Sequence, residues 1–345
     1  MQQITHNNHF VPQFYLKQWS DDGIHIWSYR ILVSHEKVQE WSHLPISGVA
    51  YQRDLYTTSV NGDEVDEFEK WLEREFENPV QESINKVLKD ESLAILDWER
   101  LASFLGAQDV RTPLSYLETT ERWRKTLPQL MQDTLEKSIK IIEQARNDGE
   151  KPRLRSENNE FFNNVFDVQI HRASKTNEKL GYIEVKVVAG RALWLESQKM
   201  LLTKTVEVLK KHKWSIVHPA QGYQWFTCDH PVVKLNYYGN GKYDLKGGWG
   251  NKGTNIIMPL SPRHLLFTQI GEEFPERFTL PPKQTKQFQR FIAERSMRWI
   301  FAHKPLGVVS KLHPRHINYE AFSQEAEQWK RWHEEQSKSE NNKSA

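Results

Sequence analysis

A change of periodicity near Trp214 constrains this chain more than any other feature. Before it, apolar residues recur every three to four positions; after it, they come in short runs cut by Gly, Asn, Asp and Pro. The first pattern belongs to amphipathic helices and the second to strands joined by turns. The order predicts an α+β fold: a helical N-terminal half, then an antiparallel β-rich C-terminal region with a terminal helix.

Within the first half, Val65, Phe68, Leu72, Phe76, Val80, Ile84, Val87 and Leu88 make one stripe over 63–90, which Pro79 should kink or split. A second helix is predicted over 97–111, with Leu101, Phe104, Leu105 and Gln108 inward and Arg111 on the same face. Pro113 should end it. Ser115 and Glu118 have capping-box spacing for a long third helix, striped by Leu127, Met131, Leu135, Ile139 and Ile142 and stopped at Asp148-Gly149. Further helices are expected at 157–170, 190–212 and 283–302. A strand is expected at 23–29, with others at 214–217, 223–227, 232–238, 256–260 and 265–270.

Gly149 to Arg153 is the linker candidate, dividing a mostly helical region, 1–150, from an α+β region, 151–335. The chain of 345 residues also suits one continuous domain. The polar stretch 336–345 is expected to be a disordered tail.

Net charge is only +2, with a pI near 8.4, which argues against a protein that wraps duplex nucleic acid along a basic stripe. Two local patches stand out: Arg122-Trp123-Arg124-Lys125 and Lys210-Lys211-His212-Lys213-Trp214. Cations interleaved with an aromatic suit phosphate contact and base stacking, though solvated helix faces with Trp packed inward have the same sequence. No apolar run approaches the roughly 20 residues of a membrane span, and the opening residues lack the regions of a signal peptide. The single cysteine, Cys228, excludes an intrachain disulfide and fits a reducing compartment. The expectation is a cytoplasmic protein without a membrane partner.

The segment Asn7 to Leu16 packs three aromatics around His9 and Gln13. Burying a Phe or Leu is worth roughly 1.5–3 kcal/mol, so this segment should dock into the core and carry His9 and Gln13 inward. His9 is then a candidate general base and Gln13 a substrate-positioning amide. Gln108 and Arg111 form a second constellation, in which Arg111 either clamps an anion or pairs with Asp109, Glu118 or the Glu-rich helix. Asp229, delivered to a strand exit in Thr227-Cys228-Asp229-His230-Pro231, is the candidate acid. Its charge disfavours a Cys228 thiolate. Met258 to Pro262 is a similar exit with a structural look. His6 with His9, and Glu69 with Glu73, have two-ligand spacing without a local third, so no metal site is assigned. There is no Gly-rich phosphate loop, CxxC pair or GxSxG elbow, and no cofactor is named.

Four stretches together carry a resemblance: His9-Phe10-Val11-Pro12-Gln13-Phe14-Tyr15-Leu16, Gln108-x-x-Arg111-Thr112-Pro113, Thr227-x-Asp229-x-Pro231 and Pro259-Leu260-Ser261-Pro262. Their order and spacing resemble the bacterial family called domain of unknown function 4238, over about residues 6–310. The family pattern often has Ser where this chain has Cys228. The resemblance selects the same polar residues: His9, Gln13, Gln108, Arg111 and Asp229. A base, an anion clamp, orienting amides and an acid suit hydrolysis of a phosphodiester or glycosidic bond. The expectation is an intracellular hydrolase, a nuclease among the options, acting on nucleic acid or nucleotides. The kind of family, rather than any residue, extends this to bacterial antiphage defence. The opposing expectation is a non-catalytic module that binds nucleic acid or another anionic ligand.

Overall fold

The computed structural model describes residues 4–60, 63–149, 166–172, 181–187 and 189–341. The N-terminal segment docks as its composition demands. Asn7–His9 pairs antiparallel with Tyr51–Arg53, and the extended Pro12 leads into a helical turn, Gln13–Leu16. Val11, Tyr15 and Leu16 are fully buried. Phe14 and Tyr15 meet Phe104 at ring separations of 5.5 and 6.0 Å, which seats the segment on the helix Ile95–Val110. The Tyr15 hydroxyl donates to the Pro259 carbonyl (2.6 Å) and lies 2.8 Å from Thr227 Oγ1. One phenol therefore joins the first, third and fourth of the motif segments.

Ile95–Val110 turns Leu101, Phe104, Leu105 and Gln108 into the core, as the stripe requires. Gly106 allows the short helix Glu207–Lys210 to approach, since a Cβ there would sit 3.1 Å from Leu209 and 3.2 Å from Val206. Pro79 splits the preceding helix: Glu67–Leu72 passes through a wide π turn, Glu73–Glu77, into Asn78–Leu88. The wide turn accommodates the missing donor and the ring of the proline. Thr112, not Ser115, caps the long helix Pro113–Asn147, its Oγ1 accepting from the Ser115 amide (3.3 Å). The capping-box expectation fails because Pro113 is already the first helical residue, and Glu118 is drawn away to Arg295.

A six-stranded sheet runs in the order Tyr243–Asp244, Val233–Tyr237, Asn255–Pro259, Leu265–Gln269, Ser215–His218, Arg277–Thr279. All its pairings are antiparallel except the last. A four-stranded sheet, Thr227–Cys228, Trp299–Ala302, His25–Arg30, Trp41–Pro45, brings strands from both ends of the chain side by side. The fold is α+β, with helices in the N-terminal half, antiparallel sheets in the C-terminal region and a terminal helix. One apolar core runs from Phe10 to Trp332, and a second lies between strands and the helix Pro282–Arg295.

Other expectations change as well, among them the strand expected at 223–227, which is only Thr227–Cys228. Residues 166–170 form part of a strand, Phe166–Arg172, paired with Gly181–Val187, while 157–165 lie outside the described residues. Phe166, Val168 and Ile170 alternate with polar residues, a period of two over a stretch too short for a helical stripe. The helix expected at 283–302 stops at Arg295, and Trp299–Ala302 is a sheet strand. The expected tail is helical as far as Asn341, within Tyr319–Asn341, because Glu340 receives Arg191 (2.6 Å) and the Ser59 amide (3.0 Å). Residues 342–345, and 150–153 of the linker candidate, lie outside the described residues. Among the described residues no helix is long and apolar enough to cross a membrane.

Because Tyr15 links three motif segments, Tyr15→Phe should cost about 1–3 kcal/mol by leaving buried acceptors unmet. Urea unfolding of both proteins measures it; an unchanged midpoint would show that the phenol is not a structural tie.

Candidate functional site

Arg111 is the first site residue to explain, since its side chain is fully buried. It leaves the end of Ile95–Val110 inward, on the stripe that also carries Gln108. Its Nη1 donates to Glu77 Oε1 (2.5 Å), Nη2 to the His9 carbonyl (2.7 Å) and Nε to the Tyr56 hydroxyl (3.3 Å). Tyr56 donates in turn to the Arg111 carbonyl (2.6 Å). The partner is thus a carboxylate of the Glu-rich helix, and each guanidinium nitrogen is engaged by a protein group. Arg111 ties the N-terminal segment to two helices and presents no open anion site.

His9 lies beside it, tilted against Tyr51 at 5.7 Å, with Nε2 buried and unpartnered. Burial lowers its pKa, and the nearby Arg111 charge adds to that. Gln13 does not join this group: it is exposed, because Tyr15 and Leu16 take the inward side of the short helix. Asn8 is fully buried, and its amide donates to Glu69 (2.5 Å). Burial pushes the Glu69 carboxyl up to about 7. Glu69 therefore serves the docked segment, and His6 bonds Asp54 (2.7 Å), so neither two-ligand spacing builds a metal pair.

Asp229 closes a turn. Its carboxylate accepts from the amides of Met297 (2.8 Å), Arg298 (2.6 Å) and Trp299 (3.1 Å). Burial pushes it up to about 6, against the amides that favour its charged form. It edges a cavity of about 230 Å³ together with Phe10, Tyr51, Pro113 and Arg30, whose guanidinium lies between the Trp299 and Phe322 rings. The Cys228 thiol is buried and pushed up, by burial first and by Asp229 second, so it is no nucleophile.

The larger chemistry belongs to the neighbours of these residues. Asp109, one position after Gln108, is buried, and its Oδ2 accepts from Lys234 Nζ (2.6 Å) and Trp249 Nε1 (2.7 Å). Its Oδ1 has no partner and lies 3.8 Å from Nε2 of the buried His230. Arg295 donates to that Nε2 (2.8 Å) and grips Glu118 with both terminal nitrogens (2.6 and 2.8 Å). A guanidinium can only donate, so His230 Nε2 accepts and Nδ1 carries the proton toward Thr112 Oγ1. Burial holds His230 neutral, and the Arg295 and Lys234 charges reinforce it.

Asp109, Lys234, Arg295 and Glu118 line a cleft of about 440 Å³ whose walls include Arg122, Trp123, Gln198 and Trp249. The Gln198 amide is buried with both polar atoms unpartnered. Gly247 brings Trp249 into place. Its amide donates to the Lys234 carbonyl (3.2 Å), and a Cβ there would fall 2.5 Å from Thr254 Cγ2. Arg122 reaches the cleft without an acidic partner among the described residues, and Trp123 packs against the core. In the second basic patch Trp214 is buried and donates to the Leu209 carbonyl, but the patch is not a helix face: the helix ends at Lys210, and Trp214 leads into the strand Ser215–His218.

The four motif segments therefore meet, through Arg111 with His9, Thr112 with His230, and Tyr15 with Thr227 and Pro259. Among the predicted residues, His9 and Arg111 touch and Asp229 opens on a cavity edged by their neighbours; Gln13 stands apart. Gln108 is fully buried with both amide atoms unpartnered. Sequence reasoning passed over Asp109, His230, Lys234, Arg295 and Gln198 as site residues. The available signal was the polar character of Asp109 and His230 inside stretches already singled out.

A family model described as "Protein of unknown function (DUF4238)" matches residues 7–305, and the chain belongs to that family. No curated protein and no solved structure matches it.

The Glu69 carboxyl supplies a pH test. Its folded pKa stands above its unfolded value, so ionisation opposes folding, and stability falls as pH rises from about 4.5 to about 7. A shift of that size corresponds to roughly 3 kcal/mol as an upper bound. Glu69→Gln should remove this slope and raise the urea midpoint at pH 7.5 more than at pH 5. Equal shifts at both pH values would refute a titrating Glu69.

Proposed function

We propose that this member of the DUF4238 family is a hydrolase of phosphate esters in nucleotides or nucleic acid, working in the cleft above Asp109. The observation that carries the proposal is the Asp109 carboxylate: one oxygen held by Lys234 and Trp249, the other buried and unpartnered. An unmet buried acceptor costs about 1–3 kcal/mol, a cost that a packing role alone gives no reason to retain. A water seated on Asp109 Oδ1 would pass a proton to that carboxylate as its oxygen bonds to phosphorus and the ester P–O bond breaks, the leaving oxygen taking a proton from solvent.

The surrounding charges suit a phosphate. Lys234 and Arg295 are each balanced by a carboxylate, and Arg122 adds a cation at the wall. The free Gln198 amide offers both a donor and an acceptor to a nucleobase or sugar edge. Trp123 and Trp249 supply faces on which a base can stack. His230, kept neutral, receives Arg295 and fixes its direction.

A second reading rests on Arg295 and Lys234, whose carboxylate partners leave little charge free for a transition state: the cleft binds an anionic ligand without turnover.

Incubation of the purified protein with RNA, single-stranded DNA, duplex DNA and mononucleotides, each with and without divalent metal, separates the two. Turnover of at least one substrate is expected. Asp109→Asn should lower it by about 10²–10⁴-fold, the usual contribution of a general base, while ligand affinity changes little. Binding without turnover in the wild-type protein would replace the hydrolase with the binding module.

A further inference from the structure

One strand of the six-stranded sheet ends in a histidine, His218, and its neighbour starts just after another, His264. Ser215–His218 pairs antiparallel with Leu265–Gln269 in the register Val217↔Leu265. One step further, His218 stands opposite His264, and directly opposed side chains share a face. The imidazoles meet edge to face with ring centres 5.0 Å apart. Asp90, just past the end of the helix Asn78–Leu88, reaches over both rings.

Its Oδ1 lies 3.3 Å from His218 Nε2 and 3.2 Å from His264 Nε2. The three candidate ligand atoms all fall within 4.8 Å of one another. Tetrahedral zinc, with ligand distances near 2.0–2.1 Å, has ligand-to-ligand edges of roughly 3.3–3.4 Å. Two of the three edges already have that length.

The outer contacts fit the same use. His264 is buried, and its Nδ1 lies 2.8 Å from Ser261 Oγ, itself fixed by the amides of Arg263 and His264. A partner on the far ring nitrogen is what orients a metal-bound imidazole. Arg277 donates to Asp90 Oδ1 (3.0 Å), and Asp90 Oδ2 remains as a second ligand atom. A carboxylate has lone pairs enough to receive a guanidinium and a metal together.

We propose that Asp90, His218 and His264 form a divalent transition-metal site of the zinc type, with its fourth position open to water or a ligand. It involves none of the residues of the Asp109 cleft. Ser261, in the fourth of the motif segments, acts as the residue that holds His264 in its ligating orientation.

Metal-stripped protein dialysed against Zn²⁺ should retain one equivalent, and Co²⁺ in its place should give the intense visible bands of tetrahedral coordination. His218→Ala and Asp90→Asn should each weaken Zn²⁺ binding by more than the roughly 10–100-fold that outer contacts contribute, and Ser261→Ala by about that range. Circular dichroism confirms that each variant is folded; His218→Gln replaces any that is not. Absence of stoichiometric binding in the wild-type protein, or affinity unchanged in His218→Ala, would overturn the site and leave an Asp90–Arg277–histidine hydrogen-bond cluster.

Discussion

The buried guanidinium of Arg111 is the interaction on which the rest of the architecture depends. Removing a cation from water costs several kcal/mol unless each donor is met. Here Glu77, Tyr56 and the His9 carbonyl give each nitrogen a partner, and each comes from a different stretch of the chain. The N-terminal segment, the split Glu-rich helix and the end of Ile95–Val110 are thereby fixed about one point. The helix stops at Val110 and a new one starts at Pro113, so Asp109 and Thr112 flank that point on either side. Both then face the strand exit at His230.

The same chemistry explains why the split in the Glu-rich helix lies where it does. Pro79 forces a wide turn over Glu73–Glu77, and Glu77 is its last residue. A regular helix through this stretch would turn Glu77 differently relative to Phe68, Leu72 and Phe76. The π turn keeps those apolar residues buried and still delivers Glu77 to Arg111.

Much of the fold was legible from periodicity. The stripe Leu101, Phe104, Leu105, Gln108 and the aromatic opening segment announce their burial because helical spacing and apolar character agree. The strand Phe166–Arg172 departs from the helix expected over 157–170 because alternation over a few residues is a weak signal. The ordered end of Tyr319–Asn341 was missed because one buried Arg191–Glu340 pair holds a segment whose composition is otherwise that of a tail. The site was legible by region and not by residue. Successive residues on a helix point about 100° apart, and successive residues on a strand point to opposite faces. Gln108 and Asp109, or Asp229 and His230, are equally polar in sequence, and only tertiary packing decides that Asp109 meets the cleft and that His230 joins the network behind it.

That one-residue offset also divides the labour within Thr227-Cys228-Asp229-His230-Pro231. Asp229 faces one way and gathers three amides of the turn at Met297–Trp299; His230 faces the other and receives Arg295 and Thr112. Arg295 ends the helix Pro282–Arg295, two residues before that turn begins. Asp229 therefore sets where the helix ends, and the helix end sets where Arg295 meets His230 and Glu118. A carboxylate outside the cleft thus positions a cation at its wall. The polar residues of this exit are coupled by backbone geometry rather than by direct contact, and the short Thr227–Cys228 strand, locked to Trp299–Ala302, is what keeps both faces in register.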